Sequence, residues 1–163
     1  MSEKRDLRSL NIDELGEMLA ALGAPKFRTK QVYAWLQSGV SSFDGMTNVP
    51  KSLRAQLNEI GYIAVAEVEA RFDSKLDETV KYLFKLHDGL LIESVVMKYH
   101  HGYSICISTQ VGCRMGCSFC ASTINGLARS LTAGEMLAQI TSASENLGVR
   151  ISNVVLMGMG EPL

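Results

Sequence analysis

The sequence has no apolar run long enough to span a bilayer, and its N-terminal stretch MSEKRDLRSLNIDEL carries charges where a secretion signal would be hydrophobic. It also has no excess of either charge: the formal net charge is −1, which gives no general indication of a nucleic-acid partner. Its 163 residues, 47% of them hydrophobic, suffice for one medium domain or two small ones. We therefore expect a globular protein of the cytoplasm, with no membrane partner.

Cysteine is absent outside one short stretch, because all four cysteines lie between positions 106 and 120. Disulfides among them could not connect distant parts of the chain. In a reducing compartment, such a set is more typical of metal ligands or reactive groups than of a disulfide framework. Cys113, Cys117 and Cys120 are spaced C-x3-C-x2-C in GCRMGCSFC, and Cys106 stands seven residues before Cys113.

Apolar residues recur at helical spacing in three early segments, which predict helices over residues 11–23, 27–39 and 50–61. Asn11 is a suitable N-cap for the first helix, and Pro50 suits the start of the third. We therefore predict a helical accessory module over residues 1–61.

After residue 61 the pattern changes to that of strands. The stretches IAVAEVEARFD, ETVKYLFKLHD and LLIESVVMKYH predict three antiparallel strands, with HDG at 87–89 as a hairpin turn. Together these stretches predict an antiparallel β layer over residues 62–101.

Residues 102–163 read as strand, helix, strand. YSICIST is a short buried strand, TAGEMLAQITSASENLG opens with a capping box from Thr132 to Glu135, and ISNVVLMG is a second apolar strand. This order predicts one βαβ crossover of a parallel sheet, and with it an α/β fold. One crossover cannot cover both faces of such a sheet, so we expect the chain to be part of a longer protein.

The residues alone leave several interpretations of the cysteines open. Structural zinc usually takes two separated ligand pairs, and the sequence has one C-x2-C and no later pair. Buried thiols, or a redox pair of Cys117 and Cys120, are further alternatives. A 4Fe–4S cluster explains all three cysteines of the motif, because three thiolates leave one iron open for a small molecule such as S-adenosylmethionine.

The C-x3-C-x2-C spacing, with Phe119 before the last cysteine, resembles the signature of radical S-adenosylmethionine (radical SAM) enzymes. GMGEP, at the end of the next strand, resembles the motif that receives the methionine amino group in these enzymes. The resemblance implies the first βαβ unit of a truncated radical SAM partial (β/α) barrel. It also implies two cofactors, a 4Fe–4S cluster on Cys113, Cys117 and Cys120, and S-adenosylmethionine at Gly160 and Glu161.

A closer resemblance covers nearly the whole chain. KFRTKQVYAWL, FDGMTNVPKSLR, DETVKYLFKLHDG, IESVVMKYHHG and CISTQVGCRMGCSFCAST are similar to the RlmN family of RNA methyltransferases. This resemblance implies methylation of carbon 2 of adenosine in large-subunit rRNA and some tRNAs, RNA binding by residues 1–61, and an electron donor for the cluster. The related Cfr family, which methylates carbon 8, shares much of the pattern, although GMGEP is closer to the RlmN form.

The RlmN resemblance also implies particular residues in a mechanism with a covalent protein–RNA intermediate. A C-terminal cysteine carries the methyl group, Cys106 resolves the protein–RNA link, and Glu93 accepts the carbon-2 proton. From the residues alone, a buried strand cysteine is an alternative for Cys106, and Glu93 is more often a solvent-facing strand residue. No cysteine follows Cys120, so this chain alone is expected to be incomplete as an enzyme, and a non-catalytic RNA- or cluster-binding protein is the alternative.

Several aromatic and basic side chains could contact RNA or could have a purely structural role. Tyr33, Trp35 and Tyr82 could stack on bases or pack in a core. The basic residues within 26–30 could contact phosphate or belong to a solvated helix face.

Overall fold

The computed structural model describes residues 4–162, which form two compact units divided between Ala64 and Val65. We call them the helical unit (residues 4–64) and the sheet unit (residues 65–162). The chain as a whole has a mixed α/β fold, with parallel and antiparallel strands.

Three helices make up most of the helical unit, and a two-stranded parallel pair joins its ends. The elements are β1 Arg5–Asp6, α1 Ile12–Ala21, α2 Phe27–Gln37, α3 Lys51–Ile60 and β2 Gly61–Tyr62. All three predicted helices are confirmed. The Asn11 side chain accepts hydrogen bonds from the N–H groups of Asp13 and Glu14, and the Glu14 side chain bonds back to Asn11, so α1 begins at a full capping box.

The core of the helical unit lies between the apolar faces of these helices. Its central members are Leu15 and Leu19 of α1, Val32 and Leu36 of α2, and Leu53 and Leu57 of α3. Tyr33 and Trp35 pack partly against this core. The indole N–H of Trp35 donates to the Asn48 side chain at 2.7 Å, so its polar end is already engaged.

Arg8 is the most buried charge of the helical unit, with 3% of its surface exposed. Its guanidinium donates to the backbone carbonyls of Leu36, Val40 and Ala64 at 2.6–3.1 Å. Burial lowers the pKa of Arg8, and the nearby Asp6 carboxylate acts in the opposite direction. One side chain thus satisfies three carbonyls from separate parts of the unit.

Five strands form one sheet in the sheet unit, in the order β3-β4-β5-β6-β9. The strands are β3 Glu67–Asp73, β4 Val80–Lys85, β5 Leu91–Tyr99, β6 Gly102–Cys106 and β9 Ile151–Val155. Neighbours from β3 to β6 are antiparallel, whereas β6 and β9 are parallel. The strands expected before and after residue 101 are therefore hydrogen-bonded into one sheet, and the division into 62–101 and 102–163 stays a prediction about domains.

The crossover between β6 and β9 runs through α4 Ala133–Leu147, which confirms the predicted βαβ unit. Thr132 and Glu135 form the expected capping box, and Gly148 follows the last helical turn. Helix α4 covers the apolar face of the sheet, where Tyr82 and Phe84 stack with ring centroids 5.2 Å apart. Tyr82 is fully buried, so it is a core residue and no base can stack on it.

Two features differ from the expected strands. Strand β3 begins at Glu67 and not at Ile63, because Ile63 packs into the core of the helical unit. The cysteine stretch is also framed by a two-stranded antiparallel ribbon that was not predicted: β7 Gln110–Gly112 and β8 Leu127–Ser130.

Candidate functional site

The β7–β8 ribbon holds the cysteine loop (residues 113–126) at its base. The backbone N–H of Cys113 donates to the carbonyl of Gly126 at 3.1 Å, which closes the loop where it begins. Gly112 precedes it with φ at +76°, and a Cβ at this position would collide with the Gly126 carbonyl oxygen. The narrow entrance of the loop therefore requires glycine at position 112.

The loop presents its three thiols in different environments. Cys113 is buried, Cys120 is half-buried, Cys117 is exposed, and all are free thiols. A turn links the last two, since the N–H of Cys120 donates to the carbonyl of Cys117 at 3.1 Å. Across residues 4–162, no three His, Cys, Asp or Glu side chains are gathered so that they could hold a metal ion. The structure places the three thiols on one loop without gathering them into a ligand set.

The donor set of this loop nevertheless fits an iron–sulfur cluster. Thiolates are the soft ligands that such clusters take, and the C-x3-C-x2-C stretch of the loop contains no carboxylate or imidazole that would favour a harder metal. Cys106 lies on β6, outside the loop, and is half-buried. Cys106 therefore belongs to the five-stranded sheet, whereas the other three cysteines lie on the loop between β7 and β8.

The GMGEP segment lies against the chain that enters the cysteine loop. The N–H of Gly158 donates to the carbonyl of Ile107, and the Met159 carbonyl accepts from the N–H groups of Thr109 and Gln110 at 2.9 and 3.2 Å. The N–H of Glu161 donates to the side-chain oxygen of Gln110 at 3.1 Å. Gln110 stands three residues before Cys113, so the two motifs are direct neighbours.

Glu93 and Cys106 share one face of the sheet. Val95 lies opposite Cys106 across the β5–β6 pair, and Glu93 is two residues from Val95 on the same strand. Residues in this diagonal relationship have Cα atoms about 7–8 Å apart. The structure therefore brings the two residues close on the face opposite α4.

Lys81 is a partner of Glu93 that the sequence did not indicate. Its Nζ lies 2.7 Å from Oε1 of Glu93, and the Glu93 side chain is 46% exposed. Lys81 stands opposite Val95 on β4, so the ion pair spans two strands diagonally. The carboxylate is therefore oriented by a cation that lies on the neighbouring strand.

An ion cluster fixes the far end of the ribbon. Arg129 on β8 donates to both oxygens of Glu135 at 2.8 Å and to Asp88 at 2.7 Å. The hydrogen bonds to Glu135 raise the pKa of Arg129. Burial by itself raises the pKa of Glu135, but the hydrogen bonds from Arg129 and from the N–H of Thr132 outweigh it, and the net shift is downward.

The sequence patterns did not identify this ion cluster, nor the role of Gln110 in joining the two motifs. The only signals were the capping box that includes Glu135 and the position of Gln110 in QVGC.

None of the helices within residues 4–162 combines the length and the apolar character needed to cross a bilayer.

Comparison with known proteins first defines a structural class. A crystal structure of a radical SAM methyltransferase from Sphaerobacter thermophilus matches with a TM-score of 0.87 and 41% identity, over 97% of this chain and 48% of that one. The chain thus has the fold of part of a radical SAM methyltransferase.

Sequence relatives narrow this similarity to one family. Residues 5–63 match the family described as Ribosomal RNA large subunit methyltransferase N-terminal domain. The probable dual-specificity RNA methyltransferase RlmN of Alkaliphilus oremlandii is 56% identical over 99% of this chain and 47% of its own length. That of Lachnoclostridium phytofermentans is 51% identical over 100% of this chain and 46% of its own. The chain is thus similar to RlmN proteins over nearly its whole length, and it spans about half the length of the curated relatives it matches.

Proposed function

We propose that this chain forms the cluster- and cofactor-binding part of a radical SAM methyltransferase that modifies carbon 2 of adenosine in large-subunit rRNA and some tRNAs. The observation that carries the proposal is the pairing of the GMGEP segment with the chain entering the cysteine loop, through Gln110 and Met159. Two motifs separated by about forty residues are thereby placed side by side, as a cofactor shared between them requires.

Each candidate residue has a distinct task in this proposal. Cys113, Cys117 and Cys120 would hold a 4Fe–4S cluster, and the backbone around Gly160 and Glu161 would receive the amino group of S-adenosylmethionine. When bound and reduced by an electron donor, the cluster supplies the electron that cleaves the sulfonium. The exposed Cys117 would move toward Cys113 and Cys120 when the cluster binds, because the three thiols are not gathered in this structure.

Glu93 and Cys106 would act on the RNA adduct. Glu93, held by Lys81, would accept the proton from carbon 2 of the adenine. The Cys106 thiol, on the same face of the sheet, would resolve the protein–RNA link by forming a disulfide with the methyl-carrier cysteine. That carrier is not among these 163 residues. The basic residues near Arg28 would add contacts to RNA phosphates that do not depend on sequence.

The first test is cluster content after anaerobic reconstitution of the protein made from the whole reading frame. We expect about four iron and four acid-labile sulfide per chain. Cys113→Ala, Cys117→Ala and Cys120→Ala should lose the cluster, whereas the matched variant Cys106→Ala should keep it. Stoichiometric zinc without visible absorption would contradict the proposal.

The second test is methyl transfer to an RNA that contains the target adenosine, with S-adenosylmethionine and a reductant. Mass spectrometry of the digested RNA should show 2-methyladenosine, and 8-methyladenosine would assign the Cfr-type reaction instead. Cys106→Ala should accumulate a covalent protein–RNA adduct. A loaded cluster without any transfer would favour the non-catalytic binding protein.

A further inference from the structure

The side-chain amide of Gln139 forms the two backbone hydrogen bonds with Ser108 that a neighbouring strand would otherwise form. Strand β6 ends at Cys106, yet the N–H of Ser108 donates to Oε1 of Gln139 at 2.8 Å, and Nε2 of Gln139 donates to the Ser108 carbonyl at 3.0 Å. Both residues are fully buried. The amide therefore satisfies both main-chain groups of Ser108, as a β-ladder partner would.

The remaining hydrogen-bonding positions of Gln139 are also filled. Its oxygen accepts a second bond from the hydroxyl of Ser94 at 2.8 Å, and its nitrogen donates to the Glu135 carbonyl at 3.4 Å. With two bonds at each end, the amide has one orientation and cannot rotate without breaking several of them.

The hydroxyl of Ser108 connects two candidate site elements. It donates to the backbone carbonyl of Glu93 at 2.6 Å and accepts from the backbone N–H of Met159 at 3.0 Å. Glu93 is the proposed proton acceptor, and Met159 is the second residue of GMGEP. A single buried oxygen thus spans from β5 to the segment proposed to bind the methionine amino group.

We propose that Ser108, held in place by Gln139, is a positioning residue that sets the separation between Glu93 and the GMGEP segment. The contacts of Ser108 are observed in the structure. The functional importance of the separation they set rests on the proposed function. Buried polar groups are costly unless every partner is present, and small apolar residues would fill this space without that cost. A fully paired serine between these two elements therefore points to a geometric requirement.

Hydrogen exchange of individual backbone amides tests the contact without cluster, cofactor or activity. Ser108→Ala removes the acceptor of the Met159 N–H, and we expect its exchange to accelerate by about tenfold or more. Ser94→Ala is the matched control, since it removes a buried hydroxyl from the same network that does not touch Met159, and it should change this rate less than about threefold. Ser108→Thr, which keeps the hydroxyl, should restore protection.

Three exchange results would overturn the inference. They are an unprotected Met159 amide in the unmodified protein, an unchanged rate in Ser108→Ala, and equal acceleration by Ser94→Ala. If Ser108→Ala does not fold, Ser108→Cys replaces it, because sulfur fills the space but is a poor acceptor. The expected result for that variant is again faster exchange at Met159, and a rate equal to that of the unmodified protein overturns the inference.

Binding of S-adenosylmethionine to the reconstituted protein then separates the inference from the proposed function. Perturbation of the electron paramagnetic resonance spectrum of the reduced cluster measures the dissociation constant. We expect Ser108→Ala to raise it about tenfold at unchanged iron content, and Ser94→Ala to leave it unchanged. Binding by the unmodified protein with no effect of Ser108→Ala would overturn the inference alone. Absence of binding by the unmodified protein would overturn the proposed function, while the exchange rates still decide the Ser108 contact.

Discussion

Gly158 lies so close to Ile107 that a Cβ on the glycine would stand 2.7 Å from the carbonyl carbon and oxygen of Ile107. The same position would be 2.7 Å from the backbone nitrogen of Ser108. Backbone atoms cannot swing away as the end of a flexible side chain can. The first glycine of GMGEP is therefore needed for close approach of two backbones.

Gly158→Ala should push the GMGEP segment away from Ile107 and Ser108, which connect β6 to β7. We expect a loss of about 2 kcal/mol in the free energy of unfolding and at least about tenfold weaker binding of S-adenosylmethionine. Urea unfolding and the same spectroscopic titration measure the two effects. Gly16→Ala is the control, because Gly16 lies inside α1 and a Cβ there would meet only Thr29 of α2, at ordinary contact distance; this variant should be more stable by about 0.5–1 kcal/mol. Equal stability of Gly158→Ala and the unmodified protein would show that the approach is not tight.

Glu93→Gln tests the proposed proton acceptor. The amide keeps the size of the side chain but cannot take a proton at neutral pH, so methyl transfer should fall by about a hundredfold or more. Iron content and binding of S-adenosylmethionine should not change. Glu69→Gln removes the other glutamate that pairs with a lysine on β4, Lys85 at 3.9 Å, and should leave transfer intact. If both variants retained full activity, Glu93 would not be the acceptor.

Arg8→Met should destabilise the helical unit. The apolar stem is preserved, but the carbonyls of Leu36, Val40 and Ala64 lose their donor, and we expect a cost of about 3 kcal/mol in the free energy of unfolding. Thermal and urea unfolding measure this cost. Lys30→Ala, at an exposed position of α2, should change stability by less than about 0.5 kcal/mol. A similarly small effect at Arg8 would mean that water replaces the guanidinium.

Arg129→Met should destabilise the sheet unit by about 3 kcal/mol at pH 7, because it leaves the Glu135 carboxylate buried without its cation. In the unmodified protein the pKa of Glu135 lies below its ordinary value of 4.5. Its contribution to stability is therefore complete above pH 4.5 and is lost as the pH falls through the lower folded value.

The difference in stability between Arg129→Met and the unmodified protein should shrink on acidification. Protonation of Glu135 removes the buried, unpaired charge in the variant, so the variant loses its disadvantage as the pH falls. Urea unfolding at several pH values measures this trend. Arg150→Met, the same change at an exposed residue, should show no such trend. A difference that stayed constant between pH 7 and pH 4 would rule out Glu135 as its source.

The helices and strands were predictable because their signals are local. Asn11 and Thr132 cap the helices they were expected to cap, and alternation of side chains located β4 and β5. The β7–β8 ribbon escaped prediction, because Gln110–Gly112 and Leu127–Ser130 are too short for a periodic signal and pair only across the loop between them.

Some residues of the candidate site were likewise predictable from the sequence, and others were not. Its motif residues are recognisable by spacing, but Lys81 and Gln139 come to the site through strand register and helix packing, which no short pattern encodes. Gln139 in particular reads as an ordinary polar position of an amphipathic helix. Only the end of β6 at Cys106 creates the unpaired backbone that it satisfies.

Strand β6 is bonded on both sides, antiparallel to β5 and parallel to β9. A shortened protein that started at Gly102 would lack β5, the antiparallel neighbour of β6. The backbone N–H and C=O groups of β6 on that side, around Ile105, would then have no partner strand. Such an edge recruits strands from other molecules and leads to aggregation. A piece meant to keep the cysteine loop in solution therefore has to begin at or before Val65.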